Sequence, residues 1–341
     1  SDSATFTGAV DADTITLSDT STTIAFQGNT SAATGLITAG NPYSVSFTGT
    51  TNTIAGSTSF LNGGTVTLGN GGDAIEFTGG VSATTPAQLN LGGTVTAAGS
   101  GVITLGDADS AVNVTSNSQV GGSSTGAITF GDISLADGTS LTAGTGIGNE
   151  ITTLGIVGTA VGGAETMVFD TTGTVSVDGA VGAADGTNNL DQLTITQSGG
   201  TTFQSTVDAE SVTLTDTTGT VAFQGNTHID TGLTAAAGAG GYSVSLTGSS
   251  NFISGATDFL NTGTVTVGNA IGDTTQFELG VDTTGGPSGT VLAGTLRTDL
   301  TAGSDIDLNK TTLGANTTLN AGDGMVNVAS VTDGGNGFGL S

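Results

Sequence analysis

Apolar residues recur along this chain at every second position in short runs, and each run is closed by Gly, Asn, Asp or Ser. The first examples are ATFTG, TITLSD, TIAFQGN, YSVSFTG, TVTLGN and AIEFTG. Alternation of period two over about four to six residues, ended by turn formers, predicts β-strands with one face buried. No stretch carries the 3.6-residue spacing of a long helix.

The runs repeat on a larger scale. IAFQGNT at Ile24 to Thr30 returns as VAFQGNT at Val221 to Thr227, an offset of 197, and FLNGGTVTLGN at Phe60 to Asn70 returns as FLNTGTVTVGN at Phe259 to Asn269, an offset of 199. Tyr43 and Tyr242 also differ by 199, and Phe77 and Phe277 by 200. Further on, TSLTAGTG at Thr139 to Gly146 resembles TTLNAGDG at Thr317 to Gly324 at an offset of only 178, so the second copy is shorter by 200 − 178 = 22. A β-sandwich that lost this much would lose two strands of its core, whereas a solenoid can drop one coil and close up, because each coil touches only its neighbours. The steps from Phe6 to Phe26 and from Phe203 to Phe223 are both 20. Together they predict an all-β fold, a right-handed parallel β-helix (β-solenoid) with coils of about 20–22 residues and inward stacks of Val, Ile, Leu and Phe; the hand follows from the general preference of parallel crossovers. The expected organisation is a first repeat unit over 1–197 and a second, shortened unit over 198–341, stacked continuously on the first. Phe26, Asn29, Phe223 and Asn226 are expected to be structural positions of the repeat.

Composition agrees with a narrow core. Among 341 residues there are 60 Gly, no Trp and 4% aromatics, too few large side chains to fill a wide interior. A disordered chain would lack the recurring β-branched residues and the mean hydropathy of +0.18. The formal net charge is −27, from 29 acidic residues against Arg297 and Lys310. Two cations cannot form the basic patch that nucleic acid or an anionic membrane surface requires. There is no Cys, and no apolar run approaches the roughly 18–20 residues of a membrane span. The opening SDSATFTGAV lacks the basic and apolar regions of a signal peptide, which predicts a processed chain or a segment of a longer one.

Between the copies, GAVGAADGTNNLDQLTIT at Gly179 to Thr196 is followed by TTFQSTVDAESVTLTD at Thr201 to Asp216, and the latter is echoed by ATFTGAVDADTITLSD at Ala4 to Asp19. These phrases resemble the β-strand repeats of large bacterial surface and secreted exoproteins, the filamentous-haemagglutinin-like adhesins and autotransporter passengers. The resemblance implies a parallel β-helix stalk in an adhesin, exoprotein or extracellular fibre at the bacterial cell surface.

Candidate chemistry is sparse. His228 is the only His, and Ser31 stands at the matching position of the first copy, so a solvent-facing turn residue is expected there. One His without Cys does not make a zinc or copper site. Parallel β-helices include polysaccharide-degrading enzymes, for which Arg297 and Lys310, expected across about half a coil from one another, are the candidate pair. The acidic residues Asp11 and Asp19 recur as Asp208 and Asp216, which suggests turn positions. Calcium is the ion best suited to such carboxylates, and GNGGDAIEF at Gly69 to Phe77 loosely resembles one calcium-binding nonapeptide; Asp73, Asp11, Asp19, Asp208 and Asp216 are the calcium candidates. The Thr-x-Thr pairs, such as Thr65/Thr67 and Thr264/Thr266, have no regular coil spacing and read as solvated strand positions rather than an ice-binding face. The expected function is a structural, non-enzymatic solenoid subunit that associates end to end with identical or neighbouring segments. The alternative is a calcium-dependent adhesin module that binds a surface glycan.

Overall fold

The computed structural model describes residues 3–18, 20, 22–160, 162–183, 190–298 and 304–341. Asp19 and residues 184–189 of the phrase between the copies lie outside them. The described residues form strands and no helix, and the strand pairings are parallel, apart from one antiparallel bridge between Asp107 and Ser110. The chain divides into two compact units, Ser1–Thr174 and Val175–Ser341. Each is a β-solenoid, and about 14 coils are distributed over the two. This division by contact falls upstream of the repeat boundary at 197/198, which describes copying of the sequence instead.

In the first unit one inward row runs Phe6, Phe26, Phe47, Leu68, Leu91, Val114, Leu135, each residue paired with the next in parallel register. In the second unit the corresponding row runs Phe203, Phe223, Leu246, Val267, Leu292, Leu313. The strands explain themselves: in Thr23–Phe26, Ile24 and Phe26 are buried while Thr23 and Ala25 are half-exposed, and Ser44–Phe47 and Ser243–Leu246 follow the same alternation. Branched and aromatic residues suit this half-buried pleat.

Coil length varies more than the repeat spacing predicts. The step is 20 from Phe6 to Phe26 but 23 from Leu68 to Leu91 and 25 from Val267 to Leu292. The extra residues sit at corners. Leu91 faces Leu68 and Gly93 faces Asp73, so one residue on one coil lies opposite four on the other, Gly69 to Gly72. A corner can lengthen without moving the inward rows, which is why the rows stay in register.

The inward Phe residues stack along the ladder. Phe6 and Phe26 have ring centroids 5.0 Å apart at 9°, Phe26 and Phe47 4.8 Å at 6°, and Phe203 and Phe223 5.0 Å at 13°. Phe47 then meets Phe60 edge-on at 6.5 Å. Phe26 and Phe223 are both fully buried.

Two residues after these inward positions the chain turns a corner, giving the recurring Phe-x-Gly phrases. A Cβ on Gly28 would overlap the backbone of Gly8, and one on Gly49 would overlap the backbone of Gly28, because the corners of successive coils lie backbone on backbone. Gly8 has open space at the same place. Gly49→Ala is therefore expected to lower unfolding stability by about 1–3 kcal/mol through overpacking, while Gly8→Ala leaves it within about 0.5 kcal/mol of the parent. Urea unfolding of the two variants checks this, and equal effects would refute the stacked-corner explanation.

Candidate functional site

The polar residues that recur in both copies are bound into the backbone of the solenoid. Asn29 Oδ1 accepts hydrogen bonds from the Thr51 N–H at 3.2 Å and the Thr50 hydroxyl at 3.0 Å, and Asn226 Oδ1 accepts from the Ser250 N–H at 3.0 Å and the Ser249 hydroxyl at 3.1 Å. Each Asn thus pins the corner of the following coil. Tyr43 and Tyr242 are wholly buried; the Tyr43 hydroxyl donates to Leu17 O at 2.9 Å, and the Tyr242 hydroxyl donates to Ala236 O at 2.7 Å. Burial pushes the Tyr242 phenol above its ordinary pKa, so it remains a donor. Asn62 and Asn261 donate to Tyr43 O and Tyr242 O, both at 3.0 Å. A matched pair of Tyr built this way offers no sugar platform.

The calcium candidates among the described residues are Asp11, Asp73, Asp208 and Asp216. Asp73 is buried at the corner of Thr65–Phe77, where Oδ2 accepts the Asn70 N–H at 2.9 Å; its repeat partner Asp273 accepts the N–H groups of Asn269 and Ala270 at 2.8 and 2.9 Å. Those carboxylates close their own turns. Asp11 is exposed on the strand Val10–Leu17, and Asp208 and Asp216 lie on the strand Val207–Thr217, so these three occupy strands rather than the expected turns. The Asp216 Oδ1 accepts the Ala239 N–H at 2.8 Å. Among the described residues, no group of three or more His, Cys, Asp or Glu is placed to hold a metal ion.

His228 also sits on a strand, Thr227–Ala235, and not in a turn. Its side chain is solvent-facing, as expected, with Nε2 3.2 Å from Asp230 Oδ1 and Nδ1 3.7 Å from the buried Asp208, and its ring lies 5.2 Å from that of Phe252 on the next coil. The polar phrase THID reads like a turn, yet its alternation places Ile229 inward and His228 and Asp230 outward.

Arg297 and Lys310 are not brought into register. Arg297 faces Gln276 and Asn320, whereas Lys310 faces Ser330, ten residues before Asn320 on the same strand, Ile306–Asn320. Lys310 lies 13 residues along the 23-residue step from Arg297 to Asn320, about half a coil away, so the two share no ladder position. Both side chains are exposed, and neither forms an ion pair among the described residues.

What the structure does assemble is carboxylate columns in the second unit. Asp258 faces Asp282, which faces Asp307, so three carboxylates stack at one ladder position beside an open pocket that also includes Asp305. Ser59 and Ser82 occupy the equivalent ladder position of the first unit, at offsets of 199 and 200. A second column brings Glu210 against Asp191 and Asp230. Its hydrogen bond to Asp191, its burial and the neighbouring negative charges raise the Glu210 carboxyl above the ordinary range. An acid raised in the folded state gains stability as pH falls through its folded pKa towards the unfolded value. Glu210→Gln is thus expected to melt higher than the parent at pH 7, with the difference shrinking on acidification towards about pH 4.5. Paired melting curves across that range check it, and a constant difference would refute it.

The chain matches no protein-family model, no curated protein and no solved structure.

Proposed function

We propose that this chain is a structural β-solenoid subunit or segment of a bacterial extracellular fibre or adhesin stalk, related in kind to the repeats of filamentous-haemagglutinin-like adhesins and autotransporter passengers, and that it associates with identical or neighbouring solenoid segments. One observation supports this most directly: the polar residues copied between the two repeats, Asn29/Asn226, Tyr43/Tyr242 and Asp73/Asp273, hydrogen-bond backbone of their own or adjacent coils. Copying of this kind preserves a scaffold. Under this reading the chain has no catalytic centre, binds no nucleic acid and does not insert into a membrane. Immunogold labelling of intact producing cells with antibodies raised against the purified chain should decorate the outer surface, and label confined to the cell interior would overturn the reading.

The carboxylate column Asp258–Asp282–Asp307 favours a second reading, a calcium-dependent module that binds a surface glycan. Parallel strands place such carboxylates about 4.8 Å apart, and their repulsion draws in counter-cations. Calcium that raises the melting temperature beyond the effect of sodium at equal ionic strength, with the gain lost in Asp282→Asn, would support it. Equal effects of the two salts would leave charge screening as the whole of the response.

A further inference from the structure

One outward row of the second unit departs from its counterpart in the first. His228, Phe252, Gln276 and Arg297 follow one another at a single ladder position, each facing the next in parallel register. The matched row of the first unit runs Ser31, Thr53, Glu76 and Thr96, at offsets of 197, 199, 200 and 201. All four residues differ. The strands that carry them keep their inward side, where Asn52, Ile54 and Phe77 recur as Asn251, Ile253 and Phe277. Another outward row, Ala25, Ser46 and Thr67, returns unchanged as Ala222, Ser245 and Thr266. Drift at solvated positions would have touched both rows.

The exchanges run in one chemical direction. A hydroxyl, a hydroxyl, a carboxylate and a hydroxyl give way to an imidazole, an aromatic ring, a neutral amide and a guanidinium. With His neutral, the row passes from one negative charge to one positive charge, in a chain whose formal net charge is −27 and whose cations are Arg297 and Lys310. His228 and Arg297 are exposed, Phe252 and Gln276 half-exposed, and the His228 ring lies 5.2 Å from that of Phe252. The spacing of parallel strands puts the Phe252 ring and the Arg297 guanidinium about 10 Å apart with the Gln276 amide between them. Two residues earlier on the same strands stand the hydroxyls of Ser250, Thr274 and Thr295, which form the adjoining outward row. On the other side Asp230, 3.2 Å from His228 Nε2, and Glu278 repel an anion, so Arg297 is where one is received.

We infer that this row binds an acidic polysaccharide, a chain of uronic acid residues lying along the solenoid axis. A sugar ring packs its C–H face on Phe252, its hydroxyls bond to Gln276 and the adjoining Ser and Thr row, and a carboxylate further along the chain takes the Arg297 fork in a bidentate pair. An extended peptide is a poorer fit, because the backbone groups of these strands are committed to ladders on both sides and leave no edge for another strand, whereas a sugar chain is held by side chains alone. Carboxylates elsewhere on the chain are screened beyond about 8 Å at about 0.15 M salt, and the contact with Arg297 is not. The site is separate from the Asp258–Asp282–Asp307 column and requires no calcium.

Each residue of the row can be returned to the one that the first unit carries at the matched position, where the same kind of strand already holds it, so loss of binding is separable from loss of fold. The full chain is titrated calorimetrically with oligomannuronate in about 0.15 M sodium chloride and a calcium chelator, and in parallel with a mannose oligomer of the same linkage and length. The uronate is expected to bind about tenfold more tightly than its neutral counterpart, the difference made by one charge-assisted pair. Arg297→Thr should remove that preference, Phe252→Thr should weaken both oligomers several-fold, and Asp282→Asn should change neither. Conversely, Ser31→His/Thr53→Phe/Glu76→Gln/Thr96→Arg should add a second site of comparable affinity in the first unit. Absence of uronate binding by the parent chain, or binding that Arg297→Thr leaves unchanged at an unaltered melting temperature, overturns the inference. Binding that appears only with calcium and is lost in Asp282→Asn also overturns it, in favour of the carboxylate column. Oligoglutamate bound as tightly as the uronate overturns the choice of a glycan.

Discussion

Replacing Phe47 with Ala is expected to lower the unfolding free energy by about 3–5 kcal/mol, the range for truncating a fully buried aromatic. Phe47 has no exposed surface, stacks on Phe26 at 4.8 Å and meets Phe60 edge-on at 6.5 Å. Its own strand is held on both sides, by Thr23–Phe26 in register from Ile24/Val45 to Phe26/Phe47 and by the following coil through Val45/Val66 and Phe47/Leu68. Fixed backbone on both sides prevents the coils from closing over the cavity, so the cost should fall at the upper end of the range. Phe6→Ala provides the internal comparison. Phe6 has a single ring neighbour and an open side, and its truncation is expected to cost about 1–2 kcal/mol. Urea titrations give both values, and hydrogen exchange should quicken in Thr23–Phe26 and Ser44–Phe47 of the Phe47 variant before distant coils respond. A cost for Phe47→Ala no larger than that for Phe6→Ala would contradict the continuous aromatic stack.

The solenoid was legible because its two signals are independent of corner length. Period-two alternation marks the inward face of each strand, and the copy offset aligns Phe26 with Phe223 and Asn29 with Asn226 wherever the corners fall. What depends on corner length was not legible. The steps from Asp258 to Asp282 and from Asp282 to Asp307 are 24 and 25, longer than the step of 20 between successive Phe, so no fixed period superimposes the three carboxylates. Their signal lay in the repeat itself, in the exchange of Ser59 and Ser82 for Asp. His228 was misplaced for another cause: short outward polar runs on a strand have the composition of turns. The scaffold role of Asn52 and Asn251 was also hidden, because TNTI and SNFI put a polar residue where alternation calls for an apolar one.

Those two Asn residues carry the other large expected effect. In Thr51–Ile54, Asn52 and Ile54 face inward, and Asn52 is almost completely buried. Its Oδ1 accepts the Thr30 N–H at 3.1 Å and its Nδ2 donates to Gly49 O at 2.7 Å, tying the start of one coil's strand to the corner of the next. Asn251 repeats both bonds, with the Thr227 N–H at 3.2 Å and Gly248 O at 2.9 Å, and adds the Thr275 hydroxyl at 3.0 Å. Asn52→Leu keeps roughly the same volume and adds apolar contact, yet leaves a buried N–H and a buried carbonyl without that partner. At about 1–3 kcal/mol for each stranded group, partly offset by the new apolar surface, the net loss is expected to be about 2–4 kcal/mol. Asn251→Leu should cost more, since the Thr275 hydroxyl loses its partner as well. Asn52→Asp distinguishes the lost donor from general repacking. It keeps an acceptor for Thr30 but buries a charge, which raises the carboxyl pKa, so its deficit should be largest at neutral pH and diminish as pH falls and the acid becomes a neutral donor towards Gly49 O. Urea unfolding at pH 7 and pH 4 tests this. If Asn52→Leu is as stable as the parent, or if the Asn52→Asp deficit does not change with pH, the amide fills space without joining the coils.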